Sequence, residues 1–230
     1  MSVAPLPVPL PAIDRPGGLV WRLLGPPDVD AVDALHRDAV RGMGVHAVKP
    51  EEKSFFLSLL SGRGRILGLE RGSELVAYGV LQHDLKAEDD PCEVLGLPPG
   101  TSVVKLAGAA VGHEWRGAGL QRLLIEARVG LAGDAGVIFS TAAPANQPSW
   151  SSLLACGLAV RALQYRYGGH PRFLMARVGA GLNGASPDLG HPGELIDCAD
   201  LARQTQCLEQ GWWGIAAGPQ ASTLRYVPAR

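Results

Sequence analysis

Cysteine is scarce in this sequence: Cys92, Cys156, Cys198 and Cys207 are all there are. No two of them form a C-x-x-C pair, and the histidines do not cluster beside them. No zinc site, and no other metal site, is expected on that pattern. With no secretion signal in view, the thiols are read as reduced. A charge excess of either sign is also missing. The formal net charge is -1, so no global field draws the chain to nucleic acid or to an anionic membrane, and neither is expected as a partner. No stretch offers the roughly 20 apolar residues that a membrane-crossing helix needs. The opening MSVAPLPVPLPAIDRPGG lacks a basic n-region and an unbroken apolar run, and its prolines break any helix, so no signal peptide is read there. A cytoplasmic location is the expectation.

What the sequence does have is apolar mass. Hydrophobic residues make up 47% and charged residues 19% of 230, a balance that builds a buried core rather than a disordered chain. The length suits one domain with an appendage. Residues 1–18 are proline-rich and read as an extended lead-in. LVWRLL at 19–24 reads as a strand, broken by Gly25, Pro26 and Pro27. Asp28 is a plausible N-cap for a helix to about Val40, with Val29, Val32, Leu35 and Ala39 on one face. A second helix is expected from about Pro50, with Glu51 and Glu52 at its positive end and Phe55, Phe56, Leu59 and Leu60 as its apolar stripe.

Strands 65–70 and 74–82 follow as a hairpin turning through Arg71-Gly72-Ser73. Residues 84–100 read as an acidic, proline-bearing loop. A strand at 103–111, a helix at 118–131, a short buried strand at 137–141, a helix at 147–156 capped by Asn146, and strands at 158–167 and 173–178 complete a mixed α/β domain over 19–178. A glycine- and proline-rich linker is read at 179–193. The remaining extension, 194–230, reads as a short helix capped by Asp197 or Asp200 and a hairpin. It is too small to hold a core alone. It packs on the main domain or on a second subunit, the latter making a homodimer.

The informative stretch is KLAGAAVGHEWRGAGLQRLLIEARVGLA, 105–132. Its strand is lined with small residues at Ala107, Gly108, Ala109 and Ala110, so an extended ligand can lie against the backbone and pair with it as an added strand would. The loop Arg116-Gly117-Ala118-Gly119-Leu120-Gln121 has no bulky side chain before Leu120, and it opens a helix. Main-chain N–H groups there, the helix dipole, and the charges of Arg116 and Arg122 suit a diphosphate. The same loop also serves as a plain tight strand-helix connection. A Rossmann reading fails because Arg122 stands where the last glycine of G-x-G-x-x-G belongs.

Here the chain resembles the GNAT-type N-acetyltransferase superfamily, whose signature [Q/R]-x-x-G-x-[G/A] opens a helix after the fourth strand. R-G-A-G-L-Q at 116–121 matches at Arg116 and Gly119 and departs at Gln121. Asn146 after the fifth strand, and Gly157-Leu158 at the end of the next helix, extend the match; Leu158 replaces the usual phenylalanine. The resemblance implies a GNAT-like acyl-CoA N-acyltransferase fold and acetyl-CoA as cofactor. It implies cofactor contacts from Ala109, Ala110, Val111, Arg116, Gly117, Ala118, Gly119, Leu120, Gln121, Arg122, Asn146 and Ser149. It also implies an amine of a small molecule or peptide as acceptor, with a main-chain N–H near Val111 for the developing oxyanion.

The family commonly places a tyrosine acid seven residues after the asparagine; Leu153 stands there. Ser152, or Ser149, Tyr165, Tyr167 or a water molecule, is then the proton donor, and Asp84, or else Glu70, the base. Other readings stay open beside these. Asn146 serves equally as a helix cap, Trp115, Trp150, Trp212 and Trp213 as packing residues, and His83 and Asp84 as solvated loop residues. Cys156 reads as buried and inert. A CoA-binding module without catalysis, or a transferase of another acyl group, remains beside the acetyltransferase reading.

Overall fold

The structure, a computed structural model, describes residues 10, 18–179, 182 and 185–230. Most of the proline-rich lead-in and part of the 179–193 linker lie outside them. The chain divides into two units.

The first unit comprises the segments ending at Gly42, Pro50–Leu85 and Val104–Asp134. Its strands β1 (Leu19–Leu24), β2 (Gly64–Arg71), β3 (Glu74–Gln82) and β4 (Val103–Val111) lie side by side in that order. Every pair is antiparallel. Ile66 and Leu69 on β2 point to opposite faces, as strand geometry requires, and each face has its own helical cover. Helices α1 (Val29–Ala39) and α2 (Lys53–Ser58) bring Val32, Ala39 and Phe56 onto Leu24, Ile66, Tyr78, Val80 and Ala110. Helix α3 (Leu120–Leu131) brings Leu120 and Leu124 onto Leu69, Val76 and Ala77, with Trp21 and Trp115 packed against that cluster.

Two expectations are corrected here. The second helix begins at Lys53 rather than near Pro50, because the Glu51 N–H is bonded to His36 Nε2 (2.9 Å) and Glu52 is extended. Asp28 occupies the N-cap position of α1 but makes no side-chain cap bond. Its carboxylate turns back to the Gly25 N–H (2.7 Å) and to Arg22 (2.7 Å).

The second unit comprises Met43–Lys49, Lys86–Val103 and Ala135–Arg230. It holds β5 (Val137–Ala142), α4 (Gln147–Ala155), β6 (Ala159–Arg166), β7 (His170–Val178), β8 (Glu194–Asp197), α5 (Leu201–Glu209), β9 (Trp212–Ala217) and β10 (Thr223–Pro228), with strands in the order β5-β7-β6-β9-β10-β8. The C-terminal segment adds its strands to the sheet by pairing β9 with β6 at Val160 and Gly214. The approach is close: a Cβ at 214 would lie 3.0 Å from Val160 Cβ and 3.2 Å from the Tyr226 ring, so either neighbour would have to give way to a side chain there. The segment carries its own apolar cluster of Ile196, Cys207, Leu224 and Tyr226, all buried. Inside it the Tyr226 hydroxyl donates to Gln204 Oε1 (2.8 Å), and Gln204 donates to the Cys198 carbonyl (3.0 Å).

Asp200 caps α5 by accepting from the Arg203 N–H (3.0 Å). Strand β8 has no counterpart in the sequence reading. The 84–100 stretch forms no regular strand, yet Cys92, Leu95 and Leu97 within it are buried, and Asp89 is paired with Arg166 (2.5 Å). Cys156 is half-buried rather than buried. No helix among the described residues is long and apolar enough to cross a membrane.

Candidate functional site

The small-residue strand does more than leave room. Along β3–β4, Gly79 faces Ala109 but Leu81 faces Leu106, so the register slips across Ala107 and Gly108. A bulge of this kind leaves main-chain groups outside the ladder and bends the strand. A Cβ built on Gly108 would meet nothing within 4 Å, so the bulge opens onto free space. Ala109 and Val111 are half-buried, Ala110 is buried and packs into the α1–α2 core, and Val111 faces Ala77 in the register.

After β4 the chain makes a tight turn at His113–Trp115 and enters the loop at 116–119. Gly117 (φ 73°) and Gly119 (φ 76°) both adopt the left-handed conformation. A side chain would strain either position, and a Cβ on Gly117 would project into open space. Gly119 is the N-cap of α3, and its carbonyl accepts the Arg122 and Leu123 N–H groups (3.1 and 3.2 Å). The N–H groups of Gly119, Leu120 and Gln121 have no acceptor among the described residues. These are the orphan donors of a helix start, and the α3 dipole favours an anion there. Gly117 and Gly119 are exposed, Ala118 and Gln121 half-buried, and Leu120 is anchored in the core.

Arg116 is placed otherwise than its charge suggests. Its guanidinium donates to the Ala39 carbonyl at the end of α1 (2.8 Å) and, at 3.5 Å, to the Val111 carbonyl. It ties the loop to the helix before it and to β4. Arg122 is exposed on the first turn of α3.

In the second unit, Asn146 caps α4. Its Oδ1 accepts from the Ser149 N–H (3.3 Å), and its Nδ2 lies 3.5 Å from the Ala47 carbonyl. Ser149 is half-buried. The Ser152 hydroxyl donates to the Pro148 carbonyl (2.7 Å), and Leu153 is in the core. In the first unit, the largely exposed carboxylate of Asp84 is bound to Arg63 (3.1 Å), and Glu70 is paired with Arg22 (2.5 Å).

One polar pair went unread in the sequence. His36 Nε2 accepts the Glu51 N–H, so Nδ1 carries the proton and faces the Tyr78 hydroxyl at 2.9 Å. Both side chains are buried. Burial holds the His36 pKa below its ordinary value, against the pull of Asp33, and holds that of Tyr78 well above its own. The only signal in the sequence was a histidine on the apolar face of α1, which is the pattern of a satisfied core histidine.

No protein-family model matches the chain, and no curated protein matches it by sequence. Solved structures do match by fold. A GNAT-family acetyltransferase from Streptococcus pneumoniae is 15% identical, with a TM-score of 0.53 over 70% of this chain and 99% of its own. A ribosomal-protein-S5-alanine acetyltransferase from Vibrio fischeri is 12% identical, with a TM-score of 0.54 over 72% of this chain and 95% of its own. A GNAT-superfamily phosphinothricin acetyltransferase from Sinorhizobium meliloti, solved with acetyl-CoA, is 14% identical, with a TM-score of 0.50 over 73% of this chain and 96% of its own. At these identities the likeness concerns architecture. The chain has the mixed α/β fold of the GNAT-like acyl-CoA N-acyltransferases, a β-sheet flanked by helices.

Proposed function

We propose that this chain is an N-acetyltransferase that moves an acetyl group from acetyl-CoA to an amine of a small-molecule or protein acceptor. The observation that carries this reading is the row of N–H groups at Gly119, Leu120 and Gln121, without acceptors among the described residues, after a bulged strand that opens at Gly108. Those donors suit the diphosphate of coenzyme A, and the opened main chain of β4 suits its amide-bearing arm. Acetyl-CoA supplies a thioester carbon that an amine attacks, forming the C–N bond as the C–S bond breaks.

The chain's own residues do the rest. The bulged strand, at Val111 or at the freed groups nearer Gly108, offers main-chain donors to the carbonyl oxygen as it gains charge. Arg116 steadies the loop, and Arg122 adds positive charge beside it. Asn146 and Ser149 are carried as cofactor contacts on the α4 sequence match. Asp84 takes the proton leaving the ammonium, through a water, and Ser152 gives one to the departing sulfur. Each must first exchange its present partner, Arg63 or the Pro148 carbonyl.

A second reading, a CoA-binding module without catalysis, is favoured by Leu153, whose buried side chain leaves no acid at the position where the family has tyrosine. Release of free thiol from acetyl-CoA across an amine panel separates the two. Amine-dependent release supports the transferase. CoA binding without release on any amine supports the module, and absence of CoA binding contradicts both.

A further inference from the structure

Arg161 lies where β6 slips its register against β7: Val160 faces Met175 and Ala162 faces Leu174, leaving Arg161 as the extra residue. A bulge re-aims the side chain it carries. The Arg161 guanidinium carbon lies 3.5 Å from the centre of the Trp213 ring on β9, which is the distance of a guanidinium stacked on an indole. Trp213 alternates to the face opposite Gly214, and Gly214 shares its own face with Val160 and Tyr226, toward Gln204 of α5.

Stacking uses the π face of a guanidinium and leaves its in-plane N–H donors for other partners. Arg161 makes no hydrogen bond or ion pair with any of the described residues. Its nitrogens still reach solvent, because the sealed, partnerless side-chain nitrogen among those residues is Arg225 Nε. Burial pushes the Arg161 pKa down to about 10, so the group stays cationic at neutral pH while paying part of its desolvation without a counter-ion. Strand β9 (WWGIAA) and α4 (QPSWSSLLA), which packs against β9, hold no charged residue, and Glu209 of α5, which packs against β6, makes no ion pair with Arg161. The other cation of β6, Arg166, is already bonded to Asp89.

We propose that Arg161, stacked on Trp213, forms an oxyanion subsite that takes the carboxylate of a small-molecule ligand. One cation with planar, paired donors matches a planar monoanion in both charge and geometry, whereas a phosphate dianion would be left with net negative charge. The subsite lies within the second unit and stands whether or not the chain transfers acetyl groups.

The test is a titration of the full chain with sodium acetate, and separately with sodium phosphate, at constant ionic strength held by chloride. The readout is the Trp213 indole N–H resonance, identified by its loss in Trp213→Phe. Acetate is expected to shift it saturably, and more tightly than phosphate. Arg161→Gln is expected to raise the acetate Kd about tenfold or more, since a charge-assisted pair is lost. Arg161→Lys, which keeps the charge but not the fork, is expected to fall between, and it carries the test if Arg161→Gln does not fold. No saturable shift, a response that survives unchanged in both variants, or tighter binding of phosphate would overturn the proposal.

Discussion

At the scale of single residues, the polar groups buried in the first unit matter most. His36 is held neutral by burial and must stay neutral to accept the Glu51 N–H. Because its folded pKa lies below the ordinary value of about 6.5, its contribution to stability is present above that pH and is lost as pH falls through the folded value. Urea unfolding at pH 8 and pH 5 should therefore show lower stability at the acid pH. In His36→Leu that part of the difference should shrink, while stability at pH 8 falls by about 1–3 kcal/mol as the Glu51 N–H loses its partner. An unchanged pH difference in the variant would assign the acid sensitivity elsewhere.

Arg128 makes a second case. It is buried on α3 and donates to the Val80 and Leu124 carbonyls (2.9 Å each). It passes so close to Gly79 that a Cβ there would lie 2.6 Å from Nε. Gly79→Ala should cost about 1–3 kcal/mol through overpacking. The same change in an Arg128→Ala background should cost measurably less, a coupling that a double-mutant cycle reads directly. Neither Arg128 nor His36 was legible as a buried partner. Each depends on a residue distant in the chain, Gly79 in one case and Glu51 in the other.

At the scale of elements, legibility followed locality. Strands β1 and β4 have the ends that composition suggests, because Gly18 and Gly25-Pro26 bound the largely apolar β1 and Gly112 ends β4, which β-branched and small residues mostly fill. The cap at Asn146 was readable for the same reason: an Asx residue directly before a helix satisfies a donor within its own turn. Asn146→Ala should lower stability by about 1 kcal/mol through the lost cap, seen as a lower Tm. If CoA affinity falls as well, measured where the variant is fully folded, Asn146 is a contact in addition to a cap; unchanged affinity restricts it to capping.

Strand β8 escaped notice because four residues carry almost no periodicity and its partner, Thr223–Tyr226 of β10, comes later in the chain. The start of α2 was misplaced because the bond that delays it comes from α1. The β4 bulge was equally invisible. Two consecutive small residues announce free space, but only pairing with β3 reveals a slipped register.

At the scale of the whole molecule, the mixed α/β fold class was legible from the order of elements, and the solved structures share it. The C-terminal segment was legible as a helix and hairpin but not as sheet. Its strands continue beyond β6, and Tyr226 and Cys207 are buried within it. Deleting residues 194–230 should expose the β6 edge and its apolar face, giving a lower Tm and self-association by light scattering. A truncated chain that stays monomeric with an unchanged Tm would show the segment to be dispensable for stability.

The central claim concerns the start of α3, and coenzyme A titrated into 15N-labelled protein tests it most directly. The account predicts saturable shifts of the Gly119, Leu120 and Gln121 amide resonances, abolished in a folded Gly119→Val variant. Amides that stay in place at saturating coenzyme A, or binding untouched by Gly119→Val, would contradict it.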